Sequence, residues 1–482
     1  MCSANEWVRF IRVIDSTGVV AICAEVPCPR GTGAQVRAWH LLSGVCGGFA
    51  ELTLLVLADE ETGLPERSGM PDGPVVQPPA GFRQGLRPLP GKLRAFLRRA
   101  VTVLMPWREH GWHLVSAGNA NHETDPAARK MRPSLARWAY AAVLRAWAHA
   151  LRNTGLIFPP GMLVRNRAWQ YVLANSANLP LTARVTLIWC EHSYLFPAAL
   201  ELKNRFPAAR ILCNAHNVEE TLQRSIAETV ADPGGRRWLL HEAEITGFWE
   251  RCMLRRADVV FCCSELDASR FRAMVPLIPA RIMVVPNGVD TEHFHPEPHC
   301  KGTPLVVFTG TAGYPPNDDG VAWLVKSIWT RIRAALPNSR LLLAGKSAAR
   351  HWSKHANDEN GISVLSDVPD MRTVLREATI CVVPLRSGSG TRLKILEAMS
   401  AGRAVVSTSI GAEGLEGIPG VHWTEANEEK SFAEAMVLLL NDAGRRSAIE
   451  AAGRNLVCER YSWRQISAGA ARELDDFTNQ ET

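Results

Sequence analysis

VVPLRSGSGTRLKILEAMSAGRAVVSTSIGAEGLEG, residues 382–417, is the stretch of this 482-residue chain that decides its fold. An apolar run ending at Leu385 reads as a buried strand and enters a glycine-rich loop, Ser387-Gly388-Ser389-Gly390-Thr391. A helix then carries Arg392, Lys394 and Glu397 and stops at Ala401-Gly402, ahead of a second apolar run. A helix that starts in such a loop aims its free N–H groups and the positive end of its dipole at the loop, and glycines let an anion approach the backbone. Arg392 and Lys394 add charge in that first turn, where cations disfavour the helix itself, so they point to a ligand. Glu397 lies one turn beyond Lys394, within reach of a ligand hydroxyl. A solvated helix face with a Lys–Glu pair is the plain alternative, and the position of the glycine loop directly after a buried strand argues against it.

The same alternation extends outward in both directions. Upstream lie VVAICAEV (19–26), LTLLVLA (52–58), VTLIWC (185–190), ARILCNA (209–215), DVVFCCS (258–264) and RIMVVPN (281–287). PLVVFTG (304–310), SRLLLAG (339–345), ISVLSDV (362–368), ICVVPL (380–385) and AVVSTS (404–409) form a second series. Short β-branched and apolar runs separated by helix-length segments, such as Gln35 to Val45, read as βαβ units with parallel sheets. Two such series predict an α/β protein with two doubly wound, Rossmann-like domains. Pro286 and Asn287-Gly288 break the pattern, so the domains are placed at 1–284 and 285–459, with a final helix over about 460–482 packing back on the first. Asp59 to Gly85, rich in Pro and Gly, is expected to be a long loop.

Composition narrows the function classes. Hydrophobic residues are 46% and charged residues 21%, the balance of a chain that buries a core. A net charge of +6 over this length does not call for a nucleic-acid partner and suits an anionic substrate or membrane surface. Twelve scattered cysteines without any C-x-x-C fit a reducing cytoplasm better than a disulfide framework or a zinc site. The N-terminus lacks a signal-peptide pattern, and no uncharged apolar stretch reaches about 18 residues, so a cytoplasmic protein is expected.

Several familiar motifs fail. The phosphate loop suggested by AGKS (344–347) would need glycine where Arg340 stands. GTGAQV (31–36) lacks the third glycine of a dinucleotide fingerprint. His241-Glu242 has no zincin partner, and His192 and His216 have no partner at metal-ligand spacing. There is no Asp-x-Asp pair and no GxSxG elbow, which removes the specific basis for a metal–diphosphate clamp or a hydrolase.

VPNGVDTEHF (285–294), FTGTAGYPPNDDGVAWL (308–324), LLLAG (341–345), VLSDVPDM (364–371) and the 388–408 run together resemble family 4 glycosyltransferases of the GT-B fold, in the branch associated with bacterial exopolysaccharide systems. PCPRGTGAQVRAWHLL and CNAHNVEE (213–220) fit the first half more loosely. The resemblance implies two Rossmann-like domains facing each other across a cleft. A nucleotide-sugar donor is held on the C-terminal domain and a glycan or lipid-linked acceptor mainly on the N-terminal one. Transfer is retaining, with no metal or other cofactor. It implies that Glu397 grips ribose hydroxyls, that Arg392 and Lys394 contact the diphosphate, and that Gly388, Ser389, Gly390 and Thr391 lie beneath the phosphates. Asp367 and Val368 then pass the base, His216 approaches the transferred sugar, and Gly31 and Gly33 form the N-domain glycine loop. Two departures stand out: Ser389 occupies the place of a frequent second glutamate, and the loop 309–320 offers no cation where an Arg and a Lys are usual.

Residues 91–114 interleave Lys92, Arg94, Arg98 and Arg99 with Leu93, Phe96, Leu97, Val101 and Leu104, ahead of Trp107 and Trp112. That pattern suits either an ordinary surface helix or one lying on an anionic bilayer at the inner face of the cytoplasmic membrane. The rival functions are a non-catalytic module that binds nucleotide-sugar or glycan, and a sugar-nucleotide 2-epimerase of the same fold.

Overall fold

Leucine and β-branched runs with no internal charge become parallel strands, such as Arg210–Asn214, Val259–Cys262, Leu305–Thr309, Ile380–Val383 and Ala404–Ser407 with nearly every residue buried, and the amphipathic stretches between them become the covering helices. The computed structural model describes residues 17–23, 27–29, 32–46, 51–56, 75–76, 184–299 and 302–479, all within one compact unit of the chain. In chain order its first half holds β1 (Thr17–Cys23), α1 (Gly33–Cys46), β2 (Glu51–Val56), β3 (Val75–Val76), β4 (Arg184–Glu191), α2 (Phe196–Arg205) and β5 (Arg210–Asn214). It continues with α3 (Glu219–Thr229), α4 (Pro233–Arg256), β6 (Val259–Cys262), α5 (Glu265–Met274) and β7 (Arg281–Val284). These strands form one parallel sheet in the order β3-β2-β1-β4-β5-β6-β7.

The second half contains β8 (Leu305–Thr309), α6 (Pro315–Trp323), α7 (Trp329–Ala335), β9 (Arg340–Gly345), α8 (Ala348–Trp352), β10 (Ile362–Ser366), α9 (Met371–Glu377) and β11 (Ile380–Val383). After these come α10 (Leu393–Ser400), β12 (Ala404–Ser407), β13 (Thr424–Glu425), α11 (Glu429–Asn441), α12 (Ala443–Arg460) and α13 (Trp463–Asn479). Its parallel sheet runs β10-β9-β8-β11-β12-β13. The protein is thus an α/β molecule with two doubly wound sheets. In the first sheet the strand order reverses between β1 and β4, and in the second between β8 and β11. Crevices outside the carboxyl ends of such strands are where open α/β sheets bind ligands.

Some elements depart from the sequence expectation. β1 is described as Thr17–Cys23, and positions 24–26 of the expected run lie outside the described residues. Val75–Val76 lies within the expected loop 59–85 yet pairs in parallel with Leu54 and Leu55, adding an edge strand. α10 begins at Leu393, so Arg392 is the cap residue before the helix rather than a member of its first turn.

The final helix returns to the first sheet. Trp463, Ile466, Ala470 and Leu474 share a buried cluster with Val19, Leu41, Trp189 and Phe261. The Trp463 ring stacks on His40 at 4.9 Å and 11°. A Cβ on Gly44 would fall 2.6 Å from the Ser467 Cβ, so only glycine lets α1 and α13 approach this closely. Val289 fixes the entry to α13 from the connecting segment: its N–H donates to the Tyr461 carbonyl at 2.7 Å, and its carbonyl accepts from Trp463 N–H at 3.2 Å. Burying a tryptophan of this kind contributes about 3–5 kcal/mol, on the scale of core truncations.

Candidate active site

The carboxyl end of β11 carries the glycine loop, and its shape follows from its glycines. Gly388 and Gly390 have φ of 143° and 76°, in the region that favours residues without a Cβ. A side chain on Gly388 would collide with the Arg392 guanidinium, and one on Gly390 would press on the Asn217 side chain and the His216 carbonyl. Arg392 Nη1 donates to the Ser389 carbonyl, while Nε and Nη2 are buried with no partner among the described residues. The hydroxyls of Ser387 and Ser389, both 0% exposed, are also without partners. Folded proteins seldom leave several buried polar atoms unpaired side by side, so these donors mark a place built for a polar ligand.

Lys394 stands one turn into this constellation. Its ammonium donates to Asn317 Oδ1 at 2.8 Å and lies 4.2 Å from the centre of the Phe308 ring. Asn317 is fixed in turn by donating to the Thr311 carbonyl at 2.8 Å. Burial, reinforced by Arg392, pushes the Lys394 pKa down to about 7, with Glu397 pulling the other way. Burial also pushes Glu397 up to about 7 against the pull of Lys394. The half-buried Glu397 carboxyl makes no hydrogen bond to the described residues, and a hydroxyl-bearing ligand suits it.

The first sheet supplies the opposite wall. β4 ends at Glu191, a buried carboxylate that accepts from Trp189 Nε1 at 2.6 Å and Asn214 Nδ2 at 2.9 Å. His216 Nε2 lies 2.5 Å from the same carboxylate. The His216 ring packs on His192 with centroids 3.8 Å apart, and His192 stacks on Tyr194 at 4.6 Å. Burial drives both imidazoles well below the usual histidine range; His216 helps to depress His192, and Arg37 depresses both. Burial raises Glu191, and His192, Trp189 and Arg37 oppose the rise. The contact ties Nε2 of the His216 ring to Glu191, which orients the imidazole. A second buried carboxyl group, that of Glu250 on α4, braces both histidine-bearing loops. It accepts from the backbone N–H of Glu219 at 2.6 Å and of Glu220 at 3.0 Å, and from the Ser193 hydroxyl at 3.3 Å.

The two walls touch. Gly388 N–H donates to Ser225 Oγ on α3 at 3.0 Å. Asn287 Nδ2 donates to Thr391 Oγ1 at 2.9 Å. Leu393 packs against Gly33 at the start of α1, where a Cβ would lie 3.0 Å from its Cδ1. Buried Arg37 continues the line inward, donating to Asn214 Oδ1 at 3.0 Å and to Asn287 Oδ1 at 3.2 Å. A polar chain therefore runs from Glu191 through Asn214, Arg37 and Asn287 to Thr391.

Of the residues singled out from sequence, His216, Gly33, Gly388, Ser389, Gly390, Thr391, Arg392, Lys394 and Glu397 gather at these facing strand ends. Asp367 and Val368 sit at the end of β10: Asp367, at φ 53°, accepts from the Ser347 N–H at 2.9 Å and from the Ser366 hydroxyl at 2.6 Å. Val368 packs on the second sheet's core. Gly31 and the 91–114 segment lie outside the described residues. Sequence reasoning missed Glu191 and His192, although EHS ends an apolar strand in the same way as the polar NAHN segment. It also missed Arg37, Asn287 and Asn317; Asn317 lies on α6 within the segment 309–320, where the expected cations were absent, and it orients the cation of Lys394 instead. Among the described residues, no group of three His, Cys, Asp or Glu side chains is placed to hold a metal.

Facing α/β domains with an anion-directed helix on one side and a carboxylate–histidine pair on the other suit a sugar-transferring enzyme of the GT-B class, and comparison with known proteins shows that class. The model described as "Glycosyltransferase Family 4" matches residues 128–293, and that described as "Glycosyl transferases group 1" matches 303–442. Together they span more than half of the chain, which belongs to these glycosyltransferases. An uncharacterized 44.6 kDa protein in the cps region of Klebsiella pneumoniae is 26% identical over 363 residues, covering 73% of this chain and 88% of that protein. Among solved structures, sucrose-phosphate synthase from Thermosynechococcus elongatus superimposes with a TM-score of 0.61 at 14% identity, over 96% of this chain and all of that one. The Anabaena protein HepE, solved with UDP-glucose, gives a TM-score of 0.54 at 11% identity, over 95% of this chain and 99% of that one.

Proposed function

We propose that this glycosyltransferase moves a sugar from a nucleotide-sugar to a glycan or lipid-linked acceptor, with retention of anomeric configuration, in the synthesis of a surface polysaccharide. One observation carries the reading: the two unpaired nitrogens of the Arg392 guanidinium, Lys394 and the start of α10 lie across from the Glu191–His216 pair. Cleaving the bond from a sugar to a nucleoside diphosphate builds negative charge on the diphosphate and positive character on the sugar ring. Arg392, Lys394 and the backbone N–H groups of the loop answer the first charge. Fixed donors in a site sheltered from water are worth about 3 kcal/mol each in the transition state. His216, ordered through Nε2 by Glu191, faces the sugar from the other domain. Glu191 is committed to its donors and is poorly suited to act as a nucleophile. Retention then has the acceptor oxygen enter on the face the diphosphate leaves, its proton passing to the departing phosphate oxygen. Glu397 accepts from ribose hydroxyls, Asp367 and Val368 lie toward the base, and no metal or other cofactor is required.

The Klebsiella relative's cps context supports a polysaccharide setting, and the complex of HepE with UDP-glucose supports a nucleotide-sugar on this fold. A peripheral position at the inner membrane face, through 91–114, would bring a lipid-linked acceptor within reach. Among the described residues no helix is long and apolar enough to cross a membrane. The test is a panel of UDP-, GDP- and ADP-sugars with acceptor extract, following release of nucleoside diphosphate and the anomeric configuration of the product. Binding without any release supports the non-catalytic module instead. Conversion of the nucleotide-sugar without an acceptor-dependent product supports the epimerase.

A further inference from the structure

His192 follows the last residue of β4, at the strand-order reversal of the first sheet. Its backbone stands at φ 76° and ψ 139°, a conformation that a glycine would adopt without strain. The neighbouring hydrogen bonds hold it there. Its N–H donates to the Asn214 carbonyl at 3.0 Å, and its own carbonyl accepts from Leu195 N–H at 3.1 Å and from Cys190 Sγ at 3.3 Å. The turn alone would be served better by glycine, so the imidazole needs a reason of its own. That ring lies between Tyr194 and His216, tilted 16° and 32° to them. Its Nδ1 is buried and has no hydrogen-bond partner, although the residue is only 8% exposed. If stacking on His216 were its whole purpose, an apolar ring would do the same work without burying an unpaired nitrogen.

We infer that His192 is a second sugar-reading residue of this enzyme, its imidazole hydrogen-bonding a hydroxyl of a bound sugar beside His216. Burial and the neighbouring Arg37 keep the ring neutral, so it meets a hydroxyl as an uncharged partner. The two imidazoles would read adjacent positions of one sugar, with Glu191 ordering His216 and the Tyr194 face ordering His192. The sugar can belong to donor or acceptor, and the experiment separates them.

The inference rests on the transferase reading above, and its test is built on two replacements. His192→Phe keeps a flat ring against Tyr194 and His216 but removes the nitrogens. His192→Asn keeps the same backbone demand as the wild type and restores a polar group near Nδ1. Wild type and both variants are titrated by calorimetry with UDP, GDP and ADP and with their glucose conjugates, and nucleoside diphosphate release is followed with and without acceptor extract. His192→Phe is expected to bind the preferred nucleoside diphosphate within about twofold of wild type and to lose turnover by tenfold or more, with His192→Asn recovering a substantial part. A loss that appears in acceptor-free hydrolysis and in the extra affinity of the conjugate assigns the hydroxyl to the donor. A loss confined to acceptor-dependent release assigns it to the acceptor. Wild-type turnover in His192→Phe would overturn the inference, as would an equal loss of nucleotide affinity and turnover in both variants, the signature of a structural role. A wild-type protein that binds no nucleoside diphosphate overturns the transferase reading beneath it, and the inference with it.

Discussion

Replacing Lys394 by methionine separates ground-state recognition from catalysis. The methionine keeps an unbranched chain over the Phe308 ring and removes only the ammonium that Asn317 orients. Burial has depressed this lysine to about 7, which means that the empty site disfavours its charge by roughly 5 kcal/mol relative to water. Stability should therefore be kept or improved, and any loss of function can be read as chemistry. In the ground state the diphosphate loses one charge-assisted hydrogen bond, worth about 1.5–3 kcal/mol, and part of that is offset because no lysine need then be protonated. A fall in nucleotide affinity of roughly tenfold is expected. In the transition state the leaving group gains charge where Lys394 is already placed. Losing one such donor costs about 2.7–4 kcal/mol, or about 10²–10³ in turnover. The assay is steady-state release of nucleoside diphosphate beside calorimetric affinity for the same nucleotide. If turnover and affinity fell by the same factor, Lys394 would be a binding contact only, and the catalytic role given to it would be wrong.

Because Lys394 titrates near neutrality in the empty site, nucleoside diphosphate binding at pH 8 should draw a proton onto it, seen as a dependence of binding enthalpy on buffer ionisation; Lys394→Arg should abolish the uptake, and equal uptake in both would assign it elsewhere. Burial raises Glu250 to about 8 against the pull of the Glu220 and Glu219 backbone N–H groups, with the charges of Glu219 and Glu220 reinforcing the rise, so the folded chain keeps a proton that the unfolded chain releases near pH 4.5. The resulting stability is complete below that value and is lost at about 1.4 kcal/mol per pH unit as pH rises toward 8. Glu250→Gln should therefore flatten the decline in Tm between pH 5.5 and 8, and parallel wild-type and mutant curves would remove Glu250 as its source. Trp463→Ala should destabilise by about 3–5 kcal/mol in urea unfolding, whereas a loss below about 1 kcal/mol would show that α13 contributes little to the first sheet's core.

What the sequence made legible was whatever a single segment could encode. The strand, glycine loop and helix from 382 to 402 are contiguous, and both the positive φ values of Gly388 and Gly390 and the anion-directed helix start follow from local chemistry. The opposite wall has no such signature. Glu191 and His216 lie 25 residues apart and meet only because β4 and β5 pair in parallel register, with Glu191 beside Asn214. Asn287, in the segment after β7, and Thr391, in the glycine loop, are separated by 104 residues. His192 was even less visible, because a strained φ and an unpaired ring nitrogen are properties of the folded backbone. The loop 309–320 shows the same limit from the other side. Counted by charge it lacks the expected cations, yet α6 brings Asn317 to within 2.8 Å of Lys394, so the charge comes from one segment and its aim from another. That division of labour makes Asn317→Ala the sharper probe of the second sheet's share. With Lys394 still present but no longer held, turnover should fall more than nucleotide affinity, and an unchanged turnover would mean that the lysine finds its position without Asn317.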